Sequence, residues 1–218
     1  MQPRVPAGKV FLILIAILGA NCGPGDPGNQ PAVDPRILVS GADMGVSGQE
    51  INLSRGPAAL SGAEVLVNGT RMAETAPGHY AGQLAVPLAA GAPIEVVIHA
   101  GADTVTGTAV VPTVPTLLTP LGGTTVHLGT PLDFTWIDAS NPDEFRVGIR
   151  YNGLAELAAY GPAVRAGTVV TSRIPSNTTS LAAFIDAYAD GTFTGPANPG
   201  SRMRVRQSGV TVSIVPVP

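Results

Sequence analysis

The sequence predicts an all-β chain: two β-sandwiches behind an export signal and a flexible tether, with one short helix in the second sandwich. Three observations carry this. Apolar residues alternate with polar ones over short runs, the period of a half-buried strand. Asn-Gly, the strongest two-residue hairpin signal, follows such runs at Asn68-Gly69 and Asn152-Gly153. The 27 glycines and 21 prolines are spread along the 218 residues rather than repeated in tandem, which suits many turns between short strands. A hydrophobic fraction of 44% is enough to build a core, and with aromatics at 5% that core must rest on Val, Ile, Leu and Ala.

At the N-terminus, Arg4 and Lys9 precede an uninterrupted apolar run from Val10 to Leu18, extended by Gly19 and Ala20. A helix of about eleven residues rises about 16 Å, roughly half the hydrocarbon thickness of a bilayer. The run therefore reads as the core of a secretory signal over residues 1–21 and not as a membrane span. Cys22 follows directly. As the sole cysteine it allows no intramolecular disulfide and no multi-cysteine metal site. Residues 23–35 hold four prolines and three glycines and form no regular element, so 22–35 reads as the cysteine followed by a tether.

The order apolar run, Gly19-Ala20-Asn21, Cys22-Gly23 resembles the bacterial lipoprotein signal, in which the cysteine is lipidated and becomes the mature N-terminus. The resemblance covers residues 1–23. Leu18 stands four residues before the cysteine rather than the usual three, and Asn21 takes the place of the usual small residue. The resemblance implies lipidation of Cys22, the membrane as a partner through that lipid, and an exported protein of the cell envelope, facing the periplasm or at the cell surface.

The first sandwich is expected over residues 36–112. Ile94, Val96 and Ile98 share one face, and Val105, Gly107, Ala109 and Val111 share another, with Ala100-Gly101-Ala102-Asp103 as the hairpin between them. Val65 and Val67 lead into Asn68-Gly69, and Tyr80, Gly82 and Leu84 alternate in a further strand. Pro112 and Pro115 end the last strand and mark the boundary.

The second sandwich is expected over 116–218. Leu132, Phe134 and Trp136 form one alternating face, as do Phe145, Val147, Ile149 and Tyr151 ahead of Asn152-Gly153. Met203 and Val205 alternate with Arg202, Arg204 and Arg206, and Val210, Val212 and Ile214 form a last strand. Leu181, Phe184, Ile185 and Tyr188 break the pattern at spacing i, i+3, i+4, i+7, which predicts a short helix capped near Ser176 or Thr179 and ended by Asp190-Gly191. Pro120-Leu121-Gly122-Gly123, Pro131 to Trp136 and Asp143 to Val147 resemble the front half of a fibronectin type III or related bacterial immunoglobulin-like domain. The first module resembles immunoglobulin-like modules of bacterial lipoproteins in general pattern. These resemblances imply scaffold folds and carry no functional residues.

Signatures of catalysis are missing. The sequence has no Gly-x-Ser-x-Gly elbow and no phosphate-cradling loop with its lysine. His79, His99 and His127 are scattered, so no catalytic, metal or cofactor site is expected. Beyond the signal, ten arginines stand against fifteen acids with no lysine, which gives no basic footprint for nucleic acid.

One constellation remains. Arg202, Arg204 and Arg206 project from one face of a strand, and Arg146 and Arg150 share a face on another. In fibronectin topology these strands are neighbours, and five guanidinium groups would share one sheet surface. Either nearby acids neutralise them or the surface is open to an anion, such as an acidic glycan or an acidic envelope protein. The expectation is a non-catalytic cell-envelope lipoprotein acting as a structural or interaction module. The alternative is a carbohydrate- or solute-binding module, against which the shortage of aromatics counts.

Overall fold

The alternating runs fold as strands in a computed structural model that describes residues 34–45, 48–138, 140 and 142–217. The signal, Cys22 and almost all of the tether lie outside the described residues. Before the Pro112–Pro115 segment come β1 (Ile37–Met44), β2 (Gln49–Arg55), β3 (Ala58–Ala59), β4 (Glu64–Val67), β5 (Thr70–Arg71), β6 (Ala73–Ala76), β7 (His79–Gly82), β8 (Pro93–Ala100) and β9 (Asp103–Val110). After it come β10 (Thr116–Thr119), β11 (Thr125–His127), β12 (Leu132–Ile137), β13 (Glu144–Tyr151), β14 (Leu154–Tyr160), β15 (Ala166–Val169), β16 (Leu181–Thr194), β17 (Met203–Ser208) and β18 (Val212–Val217). Hairpins form where the turn chemistry placed them. Asn68 and Gly69 have φ of 45° and 75°, and Asn152 and Gly153 have 47° and 77°, which is why β4–β5 and β13–β14 can close in two residues.

Two cores follow. The first lies between the sheet β6-β7-β2-β1-β17 and the sheet β5-β4-β8-β9 with the end of β16. Its fully buried residues include Ile37, Ile51, Val65, Ile94, Ile98 and Val105. The second lies between β10-β12-β15 and β14-β13-β16-β18, with the short β11 parallel beside β18, an arrangement that fits an immunoglobulin-like sandwich. Phe134, Trp136, Phe145, Val147 and Ile149 fill it.

No helix occurs among the described residues, and the short helix expected around Leu181 to Tyr188 is corrected to the longest strand among them. Its fourteen residues span about 45 Å at the rise of a strand. The helical spacing was a coincidence of burial on both faces. Ala183, Ile185 and Ala187 enter the second core, while Phe184 and Tyr188, on the opposite face, are roofed by arginine side chains and only 4% and 7% exposed. A strand covered on both sides loses its polar–apolar alternation, and small alanines between large residues then imitate a helical stripe.

This strand also joins the sandwiches. β17 and β18 run antiparallel to β16 as one interrupted arm, with the Gly209 N–H donating to the Ile185 carbonyl between them. β16 and this arm form a long hairpin whose base belongs to the second sandwich and whose tip enters the first. There Thr192 to Thr194 pair with β9, Arg204 and Val205 pair with β1, and Met203 and Val205 enter the first core. Gly191 sits where β16 passes from one sheet to the other. A Cβ there would come within 2.7 Å of the Thr108 carbonyl oxygen and 2.9 Å of the Met203 sulfur, so only glycine allows the crossing.

Candidate functional site

The outer face of the shared sheet carries the arginines. β13 and β17 are not paired with each other; β16 runs between them and pairs with both. Cross-strand register interleaves acids with arginines. Asp190 of β16, Arg204 of β17, Asp43 of β1 and Glu50 of β2 form one row across four strands. In adjacent rows, Glu144 lies opposite Tyr188 and Tyr188 opposite Arg206, and Arg146 lies opposite Asp186. Like charges at period two on one strand are tolerable because the neighbouring strands supply the opposite sign.

The contacts divide the five arginines. Arg204 donates from Nε to Asp190 Oδ1 at 2.9 Å and from Nη1 to Glu144 Oε2 at 3.4 Å. Arg146 pairs with the same Glu144. The Arg146 and Arg204 guanidinium groups lie over the Tyr188 ring, at 4.6 Å and 5.3 Å from its centroid respectively, so one aromatic floor carries two cations and one carboxylate bridges them. Arg150 stacks on Phe184 at 4.1 Å. Arg202 is exposed at the end of the row, just before β17, where its N–H donates to the Val39 carbonyl. Arg206 has no carboxylate within ion-pair distance among the described residues.

Burial governs the electrostatics. The Tyr188 hydroxyl is pushed above its ordinary pKa, first by burial and then by the charge of Asp186, with Arg146 and Arg206 pulling the other way. Burial opposes the charge of Arg204 and lowers its pKa, but the hydrogen bond and attraction of Asp190, with Glu144 behind it, outweigh burial and leave it raised. Asp186 is 4% exposed and its Oδ1 has no partner among the described residues.

Arg206 opens onto a groove of about 600 Å³ over the seam of the two sandwiches, lined by Asp43, Glu50, Arg146, Tyr188 and Arg204 as well. One wall offers a forked donor; the other, on β1 and β2, offers two exposed carboxylates as acceptors. With Glu144 and Asp190 behind the arginines, the groove is close to neutral. It can take one carboxylate or phosphate at Arg206 and hydroxyl donors at Asp43 and Glu50. The arginines are legible in the sequence and the acids are not, because the helical spacing of Leu181 to Tyr188 hides the strand period that puts Asp186 and Asp190 on the arginine face. The period-two series Phe184, Asp186, Tyr188, Asp190 was the signal available. Elsewhere, His79 Nδ1 and His99 Nδ1 each bond a threonine hydroxyl, of Thr75 and Thr104.

No protein-family model matches the chain, and no curated protein matches it. Among solved structures it is similar to the fibronectin(III)-like modules of CbhA from Clostridium thermocellum, at 13% identity over 82% of this chain and 90% of that one, with a TM-score of 0.29. It is also similar to a Ca2+-stabilized adhesin that helps an Antarctic bacterium bind ice, at 13% identity over 87% and 50%, with a TM-score of 0.30. A third is SGBP-B of the Bacteroides ovatus mixed-linkage glucan utilization locus, in complex with a mixed-linkage heptasaccharide, at 9% identity over 86% and 44%, with a TM-score of 0.25. The chain spans about half the length of the second and less than half of the third. Scores this low transfer neither a fold nor a ligand.

Proposed function

We propose that the chain is a non-catalytic interaction module of the cell envelope, held to the membrane by a lipid on Cys22, whose groove binds a glycan bearing a carboxylate. The observation that carries this is Arg206: a guanidinium facing a groove without a carboxylate of its own among the described residues, opposite the exposed acids Asp43 and Glu50. Arginine forks bidentately onto a carboxylate, and Asp or Glu accepts from sugar hydroxyls. A near-neutral groove suits a ligand with one anionic group per footprint better than a dense polyanion. The fused sheet supports an interaction role, because it holds both walls of the groove on paired strands.

Calorimetric titration of the Cys22→Ser chain with an oligomer of hexuronic acid, and with the same oligomer reduced to neutral sugars, tests the groove. Binding is expected for the acid form and should weaken as salt rises. Arg206→Gln should weaken it at least about tenfold, equivalent to about 1.4 kcal/mol, while Arg150→Gln should leave it unchanged. Equal binding by wild type and Arg206→Gln, or none by either, overturns the ligand assignment. For the anchor, wild-type protein expressed in a bacterium should partition into detergent with acyl chains on Cys22, and Cys22→Ser should be recovered in the soluble exported fraction. Soluble wild type with a free thiol would refute the lipoprotein reading without touching the groove.

A further inference from the structure

Strand β14 is an edge. It pairs with β13 on one side and with no strand on the other among the described residues. A strand paired on one side presents alternate N–H and C=O groups outward, a template for another strand. Other outer strands are blunted. β3 and β5 are two residues long and β11 three. The pairings of β6 and β10 are each broken by a register shift. β15 is four residues long, and its Thr168 is capped by the Tyr160 hydroxyl, which accepts from the Thr168 N–H at 2.6 Å and donates to its carbonyl at 2.7 Å. β14 has seven residues in unbroken register, Leu-Ala-Glu-Leu-Ala-Ala-Tyr, with no proline, glycine or basic residue to guard it.

Its surface is apolar as well. Ala155, Leu157 and Ala159 point outward, and Leu154 and Leu157 are 61% and 54% exposed. Leu157 and Phe184 both pack over Gly148, where each comes within 2.8 Å of the position a Cβ would occupy. The apolar strip thus runs from the edge onto β16. The one charge on the strand, Glu156, is turned inward, where it accepts from the Tyr151 hydroxyl at 3.2 Å.

We infer that β14 pairs antiparallel with β14 of a second copy of this chain, about a two-fold axis at Leu157. The occupant follows from the strand's symmetry. Centred there, Leu157 meets Leu157, Ala155 meets Ala159, Glu156 meets Ala158 and Leu154 meets Tyr160, so no charge faces a charge. Arg173 is held against Glu156 of its own copy at 3.9 Å, and the cations in line with the paired residues, Arg150 of one copy and Arg146 of the partner, lie three strand spacings apart, about 14 Å, beyond the screening length of about 8 Å at physiological salt. The one charge on β14, Glu156, is already taken up by Tyr151 and Arg173 of its own chain and leaves a foreign strand no free charge to select, whereas this strand complements itself. Seven paired residues make a small interface, so the dimer is weak and concentration-dependent.

Sedimentation velocity of the Cys22→Ser chain, from micromolar to near-millimolar concentration, tests this. The weight-average sedimentation coefficient should rise toward that of a dimer, and amide exchange at alternate β14 residues should slow over the same range. Leu157→Lys sets two cations face to face at the axis and should hold the protein monomeric throughout. Val215→Lys, at a half-exposed site on β18, should dimerise like wild type. Should Leu157→Lys lose its fold by circular dichroism, Ala159→Lys takes its place: it sets a cation against the partner's Ala155, with the partner's Arg150 one strand beyond, and should likewise weaken association. A wild type that stays monomeric at every concentration, or a Lys variant that associates as wild type does, overturns the inference. So does association that leaves β14 exchange unchanged, which would place the contact elsewhere.

Discussion

A fragment ending at Pro112 is expected to remain unfolded in isolation. It holds nine strands and most of the first core, yet it lacks the hairpin tip that closes that core. Met203 and Val205 are 2% and 0% exposed there, and Phe193 packs against the same cluster. Burying side chains of this size is worth about 1.5–3 kcal/mol each, against a total stability of roughly 5–15 kcal/mol for a domain. The cut also unpairs β1 from β17 and β9 from β16, which exposes two sheet edges at once. Circular dichroism and thermal melting of residues 34–112, beside 34–218, measure this directly. The fragment should show no cooperative transition, and a peptide of residues 192–208 added in trans should restore one. A fragment that melts cooperatively without the peptide would show that the tip is dispensable. In the whole chain the two cores should unfold together, because β16 enters both and pairs with β17 of the first and β18 of the second.

The same hairpin explains what the sequence did and did not disclose. Strands with one wet face were legible: Ile94, Val96 and Ile98 alternate because β8 is covered on one side, and Leu132, Phe134 and Trp136 because β12 is. Turns that demand positive φ were legible from Asn-Gly alone. β16 was not, because its two buried faces erase the period that identifies a strand. Nor could the pairing of β17 with β1 be read, since Arg204 and Asp43 are far apart in the chain and meet through a parallel register no local signal specifies.

The candidate site was legible in half. Period two put the arginines of β17 on one face, and inward Met203 and Val205 fixed which face that was. What the sequence concealed was their company. Glu144 and Asp190 take up Arg146 and Arg204, so a surface expected to carry five like charges is a lattice of both signs. Of the groove-lining arginines, Arg206 alone lacks such a carboxylate among the described residues.

Trp136→Ala should cost about 3–5 kcal/mol, the range for deleting a large aromatic from a packed core. The sole tryptophan is 1% exposed between Phe145 and Tyr160, with ring centroids at 5.6 Å and 5.5 Å. Such tilted pairs add to the burial they accompany. Its indole Nε1 has no hydrogen-bond partner among the described residues, so the residue is held by shape and not by a polar contact. Trp136→Phe should therefore forfeit volume but no hydrogen bond, and cost a smaller amount, about 1–2 kcal/mol. The neighbouring Ile137 points the other way and is 54% exposed. Ile137→Ala should stay within about 0.5 kcal/mol, as surface changes do. Denaturant melts of the three variants give the comparison, and wild-type fluorescence gives an independent one, since a buried indole emits to the blue of a solvated one. If Trp136→Ala and Ile137→Ala cost the same, or if the folded protein emits like free tryptophan, β12 does not present this face to the core. Because period two places every core residue of β12, that result would shift Leu132 and Phe134 out of the core together with Trp136.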